Sequence, residues 1–247
     1  MKIITDVCYS QEHQQFLDIY LPECDSFPVF VYFHGGGLEA GDKANGYALF
    51  FEYLTSHGIA VVSANYRMYP DAKYPDFLVD GAKAIKWVFD NIKIYGNATD
   101  IYVGGSSAGG YMSQMLCFDK QWLAAQDLCP MDIKGFIHDA GQPTCHFNVL
   151  RERGLDTRRV IIDETAPIYH VGVDAQYPPM LIVVSDNDMP NRLEQTQLLV
   201  STLREFEHTE NVQLQMMYSS HCAYVRKGDE NGVSVFGPIV EQFILSH

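Results

Sequence analysis

Nowhere in its 247 residues does the chain hold an apolar run of about 18 residues, the minimum for a membrane-spanning helix. Its opening stretch, MKIITDVCYSQEHQQF, has no apolar core of the kind a signal peptide carries. Basic side chains are scarce: 17 Lys and Arg stand against 31 Asp and Glu, for a net charge of −14 and a pI near 4.9. A field of that sign repels phosphate, which excludes nucleic acid and anionic membrane as partners. Six cysteines (Cys8, Cys24, Cys117, Cys129, Cys145 and Cys222) include no CxxC pair, and a chain of this size needs no staples. They read as free thiols of a reducing compartment, so the expected location is cytoplasmic. There is no internal repeat, low-complexity tract or break in composition, and a single domain over 1–247 is expected.

What is present is an alternation of apolar runs and amphipathic stretches. Short β-like runs at 2–8 and 16–21 read as an opening hairpin, and 29–33 (VFVYF) is continuous in the way of a strand buried on both faces. Helical patterns follow at 47–56, 76–95, 108–118, 193–206 and 235–245, and further strands at 59–63, 101–103, 133–138, 180–184 and 212–217. The fold class is therefore α/β, a mostly parallel sheet covered on both faces, with functional groups expected after the carboxyl ends of the strands. The stretch 141–177 has no clear period, and a long irregular insertion at that edge is expected to cover or line a site.

The run 101–103 opens into GGSSAGG at 104–110, where Gly105-Ser106-Ser107-Ala108-Gly109 fits G-x-S-x-G. In that motif a sharp strand-to-helix turn exposes a nucleophile, and the residues two before and two after it approach closely enough to favour glycine. The spacing selects Ser107 over Ser106, whose flanks would be Gly104 and Ala108. A serine hydroxyl is a weak nucleophile and needs a base and an oxyanion site. The amide of Ala108, next in the chain at a helix N-terminus, is one oxyanion donor; the loop His34-Gly35-Gly36-Gly37 after the strand 29–33 supplies Gly35 and Gly36 as the others. His34 is read as orienting that loop. His221, in SSHCAY after the last strand, is the base, with Cys222 beside it as packing. For the acid, SDNDMP offers Asp186 and Asp188; Asp188, further into the loop, is preferred. Either would fix the imidazole tautomer.

Three other patterns are weaker. Gly35 to Ala40 satisfies G-x-G-x-x-A, but Gly41 and Gly46 interrupt the helix a dinucleotide site needs. His138, Cys145 and His146 match no standard metal spacing. Residues 163–170 could line the site, although Pro167 there reads better as the first turn of a short helix. The chemistry needs no cofactor or metal.

The chain order Ser107, Asp188, His221, with LDIYLP at 17–22, FHGGGLEAGDK at 33–43 and NYR at 65–67, resembles the α/β-hydrolase superfamily. Within it the resemblance is to HGGG-type carboxylesterases, similar to hormone-sensitive-lipase-like esterases and to the small feruloyl- and acetyl-xylan-esterase-like group. It implies a serine carboxylic-ester hydrolase for short-acyl or small aromatic esters, with acetyl or feruloyl groups on plant saccharides among the candidates. Two further readings are kept: an arylformamidase-like amide hydrolase, and a non-catalytic ligand-binding homologue. The chain departs from the pattern in two places. Only about 28 residues precede the strand 29–33, so no N-terminal helical cap is expected, and Leu38 stands where tryptophan is frequent, which bears on the acyl pocket. The implied partner is a small-molecule ester; oligomeric state is not legible.

Overall fold

The computed structural model describes residues 1–44, 46–174 and 176–247. Its strands are β1 (Lys2–Ser10), β2 (Gln15–Leu21), β3 (Ser26–Phe33), β4 (Ala60–Ala64), β5 (Asn97–Ser106), β6 (Gly135–Asp139), β7 (Met180–Asn187) and β8 (Val212–Ser220). Its α-helices are α1 (Ala48–Ser56), α2 (Asp76–Asn91), α3 (Ala108–Phe118), α4 (Gln121–Ala124), α5 (Phe147–Glu152), α6 (Arg192–Glu205) and α7 (Gly237–Ser246). The strands form one sheet in the order β1-β2-β4-β3-β5-β6-β7-β8. The hairpin β1–β2 and the β2–β4 pair are antiparallel, and every pair from β4 to β8 is parallel.

Alternation along β3 explains why the middle of the sheet is apolar without a break. Val29, Val31 and Phe33 face one core with α2 and α3, whereas Phe30 and Tyr32 face the other with Phe50 and Phe51 of α1 and Phe243 of α7. Truncating a ring such as Phe30, which is fully buried, to alanine should cost ~3–5 kcal/mol. On α2 the buried positions Phe77, Leu78, Gly81, Ala82, Ile85 and Val88 recur every three or four residues, the stripe of a helix packed on one side.

The observed bounds differ from the sequence reading where periodicity does not set them. The helix expected over 76–95 stops at Asn91 and tightens into a 3-10 turn at Ile92–Ile94, because Ile94 is exposed and has nothing to pack on. Strand β5 extends to Ser106, since the Gly104 and Gly105 backbones pair with Tyr32 and Phe33 although they have no side chains to bury. The stretch 141–177, apart from residue 175, is more regular than expected. It holds α5 and a 3-10 helix at Pro167–His170 with proline in its first turn. Its N-cap on α5 is a histidine, His146, whose Nδ1 accepts the Asn148 N–H at 3.2 Å, so the usual Ser, Thr, Asp or Asn signal is missing. Tyr111 of α3 donates to the Thr165 carbonyl at 2.7 Å and docks this insertion on the helix.

The sheet ends at β8, which is hydrogen-bonded only to β7 among the described residues and is exposed along most of its length.

Candidate active site

Ser107 sits between β5 and α3 with φ 57° and ψ −111°, a conformation L-residues rarely adopt. The turn is held open by close backbone approaches. A Cβ at Gly105 would lie 2.5 Å from the Phe33 carbonyl oxygen, and one at Gly109 would overlap that same carbonyl. The Ser107 N–H donates to the Asp139 carbonyl at the end of β6, at 2.8 Å. The two adjacent serines are separated by environment. Ser106 is buried, its Oγ accepting from the Tyr32 hydroxyl at 2.9 Å, while Ser107 Oγ lies 2.8 Å from His221 Nε2.

His221 follows β8 directly, and its Nδ1 is 2.6 Å from Asp188 Oδ1. Asp188, in the loop after β7, accepts the Met189 N–H at 2.7 Å and the Ser185 N–H at 3.3 Å, and its side chain is 1% exposed. Burial alone would raise its pKa, but the hydrogen bonds from His221 and the Met189 N–H, with the Arg192 charge nearby, outweigh that and hold the carboxyl below its usual range. An ionised carboxylate can only accept, so Nδ1 of His221 carries the proton, and Nε2 presents its lone pair to the serine hydroxyl. Asp186 lies elsewhere. It is exposed, and its Oδ1 accepts the Ser219 N–H at 3.0 Å, tying β7 to β8.

The glycine loop runs beside the serine. Gly36 and Gly37 have φ of 123° and 67°, and a Cβ on Gly36 would collide with the Ala40 carbonyl. Among the described residues the amides of Gly36, Gly37 and Ala108 have no protein acceptor, whereas the Gly35 N–H donates to Tyr47 Oη at 3.2 Å. His34 is fully buried, stacked on Tyr66 at 4.4 Å, with Nδ1 2.8 Å from the Gly35 carbonyl; burial lowers its pKa and keeps it neutral. Leu38 is fully buried in the core beneath the loop and does not line the cavity. Asn148 of α5 donates to the Gly37 carbonyl, so the insertion braces this loop.

Ser107, His221 and the glycine loop line one cavity of about 630 Å³. Sequence reasoning missed Tyr47, Phe147, Met189 and Arg226 on its walls. Phe147 is the insertion's only contribution to that lining among the described residues; residues 163–170 contribute nothing. Each of the four is a single side chain brought in from a different loop or helix start, with no motif to announce it.

The other candidates are dispersed. No helix begins at the glycine loop, where a dinucleotide site would need one, since α1 starts at Ala48. His138 shares a hydrogen bond with Ser113 at 2.9 Å, Cys145 receives the Thr165 hydroxyl at 2.9 Å, and His146 caps α5. Among the described residues no three His, Cys, Asp or Glu side chains cluster as metal ligands would.

The family model described as BD-FAE matches residues 17–128. The probable carboxylic ester hydrolase LipM of Mycobacterium tuberculosis is 24% identical over 83% of this chain and 52% of its own length, so the chain spans about half of that relative. Esterase B of Lactobacillus rhamnosis superposes with a TM-score of 0.80 at 16% identity, covering 99% of this chain and 85% of its own. The esterase Est2 of Thermogutta terrifontis does so with a TM-score of 0.76 at 20% identity, covering 99% and 91%, and structures of Est2 hold propionate or butyrate. A mainly parallel sheet with a serine elbow after a central strand, followed in sequence by an acid loop and a histidine loop, is the α/β-hydrolase fold, and this chain has it. Within that fold the chain is similar to proteins described as carboxylic ester hydrolases and esterases.

Proposed function

We propose that the protein is a serine carboxylic-ester hydrolase that acts on short-acyl or small aromatic esters through an acyl-enzyme. The observation that carries this reading is His221, which bridges Ser107 Oγ at 2.8 Å and Asp188 at 2.6 Å in a cavity bordered by amides without an acceptor among the described residues. Ser107 Oγ attacks the ester carbonyl while Nε2 of His221 takes its proton, and ionised Asp188 stabilises the imidazolium. The oxyanion is received by the amides of Ala108 and Gly36. Gly35 joins them by exchanging its hydrogen bond to Tyr47 for one to the substrate oxygen. His221 then protonates the leaving alcohol and activates a water for deacylation.

A cavity of about 630 Å³ suits a small ester, and the propionate and butyrate held by Est2 support a short acyl chain. An acetyl or feruloyl group on a plant saccharide is the physiological form we favour. The proposal includes a cytoplasmic setting, supported by six cysteines that are all unpaired. No helix among the described residues is long and apolar enough to cross a membrane.

Ser107→Ala should lower kcat/KM for 4-nitrophenyl acetate by ~10⁴-fold or more. Equal rates in the two proteins would reject the serine mechanism and favour a binding homologue. Asp188→Asn should lose ~10³–10⁴-fold and Asp186→Asn little, the reverse order reassigning the acid. Acetyl, butyryl, feruloyl and formanilide substrates compared by kcat/KM would place the acyl preference and test the amide reading.

A further inference from the structure

Half of the eight arginines in this chain pair with a carboxylate, in a molecule where acids outnumber bases 31 to 17. Arg67 pairs with Asp80 at 2.8 Å, Arg151 with Glu39 at 2.6 Å, Arg153 with Asp163 at 2.6 Å and Arg158 with Asp156 at 2.5 Å. Among the described residues four guanidinium groups have no carboxylate within 4.0 Å: Arg159, Arg192, Arg204 and Arg226. Arg204 lies in the last turn of α6, where the helix dipole favours a cation. The other three line the serine's cavity or the one beside it. Arg226 is on the wall of the serine's own cavity, its guanidinium carbon 5.0 Å from the centre of the Tyr47 ring and one nitrogen 3.5 Å from Tyr47 Oη. Arg159 and Arg192 line a second cavity of about 270 Å³, which shares Phe147 and Met189 with the first.

Arg192 is 4% exposed, yet its guanidinium meets only neutral acceptors, the Ala140 carbonyl and Gln142 Oε1 at 3.4 Å. The nearby carboxylate of Asp188 is committed to His221. Arg192 thus feels the Asp188 charge but makes no direct ion pair with it, and a buried guanidinium in that position is stabilised by a further anion. The acid at the rim, Glu39, is neutralised by Arg151. Arg226 and Arg192 thus place positive charge beside the serine's cavity in a molecule whose overall field is strongly negative.

We infer that the substrate is an ester that also carries a carboxylate, and that Arg226, Arg159 and Arg192 form the basic wall that receives it. A planar guanidinium matches a carboxylate in two parallel hydrogen bonds, and stacking on Tyr47 holds Arg226 in place for that contact. The inference rests on the ester-hydrolase reading for its chemistry but not for the binding of the anion.

The test compares each anionic ester with its neutral counterpart: mono-4-nitrophenyl glutarate with 4-nitrophenyl pentanoate for a carboxylate on the acyl side, and 4-acetoxybenzoate with its methyl ester for one on the alcohol side. The readout is the ratio of kcat/KM, anionic over neutral, in wild type, Arg226→Gln and Arg159→Gln; intrinsic reactivity cancels between proteins. For at least one pair the ratio should fall roughly tenfold in one or both variants, the scale of a charge-assisted hydrogen bond. It should also fall with added salt in wild type, because exposed charges are screened within about 10 Å at 0.1 M. Ratios that agree within twofold across all three proteins overturn the inference and leave the esterase reading intact. If no ester is hydrolysed, the esterase reading fails. Calorimetric titration with glutarate then decides the inference alone: binding weakened in Arg226→Gln or Arg159→Gln upholds it, and no binding to wild type overturns it.

Discussion

Ser107 occupies a backbone conformation that glycine would adopt freely, and strain of this kind is worth about 1–3 kcal/mol. Ser107→Gly should therefore be inactive yet melt higher than wild type, a difference that calorimetry would register; an unchanged or lower melting temperature would mean that the elbow is unstrained. Directly behind it, Asp139 is 1% exposed and receives the Tyr224 hydroxyl. Burial pushes its carboxyl up to about 6, outweighing the hydroxyls of Ser106 and Tyr224 beside it. The unfolded chain releases that proton near pH ~3.9, so between about 4 and 6 the folded state holds more protons and its stability declines as pH rises. Asp139→Asn has no such titration. Its melting temperature relative to wild type should rise by a few degrees between pH 4 and pH 7. A gap that stays constant with pH would show that Asp139 titrates alike in both states.

The segment after β4 is fastened to α2 by Arg67, whose backbone and guanidinium both donate to Asp80, a side chain with 0% exposure. Arg67→Met leaves that carboxylate buried without its counter-charge, held among the described residues only by the backbone N–H of residue 67, and should cost ~3–5 kcal/mol in urea unfolding, much of it recovered in Arg67→Met/Asp80→Leu. A loss below about 1 kcal/mol in the single variant would mean that water compensates Asp80. Strands and helices of this sheet are legible in the sequence where burial and period coincide, as in β3 and α2. Ends set by backbone pairing are not: β5 runs three residues past its last apolar side chain because glycines can pair as well as any residue. The serine, histidine and acid are legible because each follows an apolar strand in a fixed order. The side chains that shape the cavity are not, since Tyr47, Phe147, Met189 and Arg226 come from separate connections and meet only in the folded chain.

A net charge of −14 on 247 residues places every acidic patch in the repulsion of the others, and salt at about 0.2 M should raise the melting temperature relative to low-salt buffer by screening it. A melting temperature that falls with sodium chloride would mean that the surface ion pairs matter more than the repulsion. The same sheet distributes the proposed reacting groups unevenly. Ser107 and its glycine loop rise from β3 and β5 in the middle, braced by strands on both sides, but His221 is carried by the outermost strand, β8, which among the described residues has a neighbour on one side only. Such a strand opens before the centre does. Warming the protein should accordingly disarm it before it melts: amide hydrogen exchange in β8 and the loss of turnover should run together, well ahead of exchange in β3 and β5, and cooling should restore both.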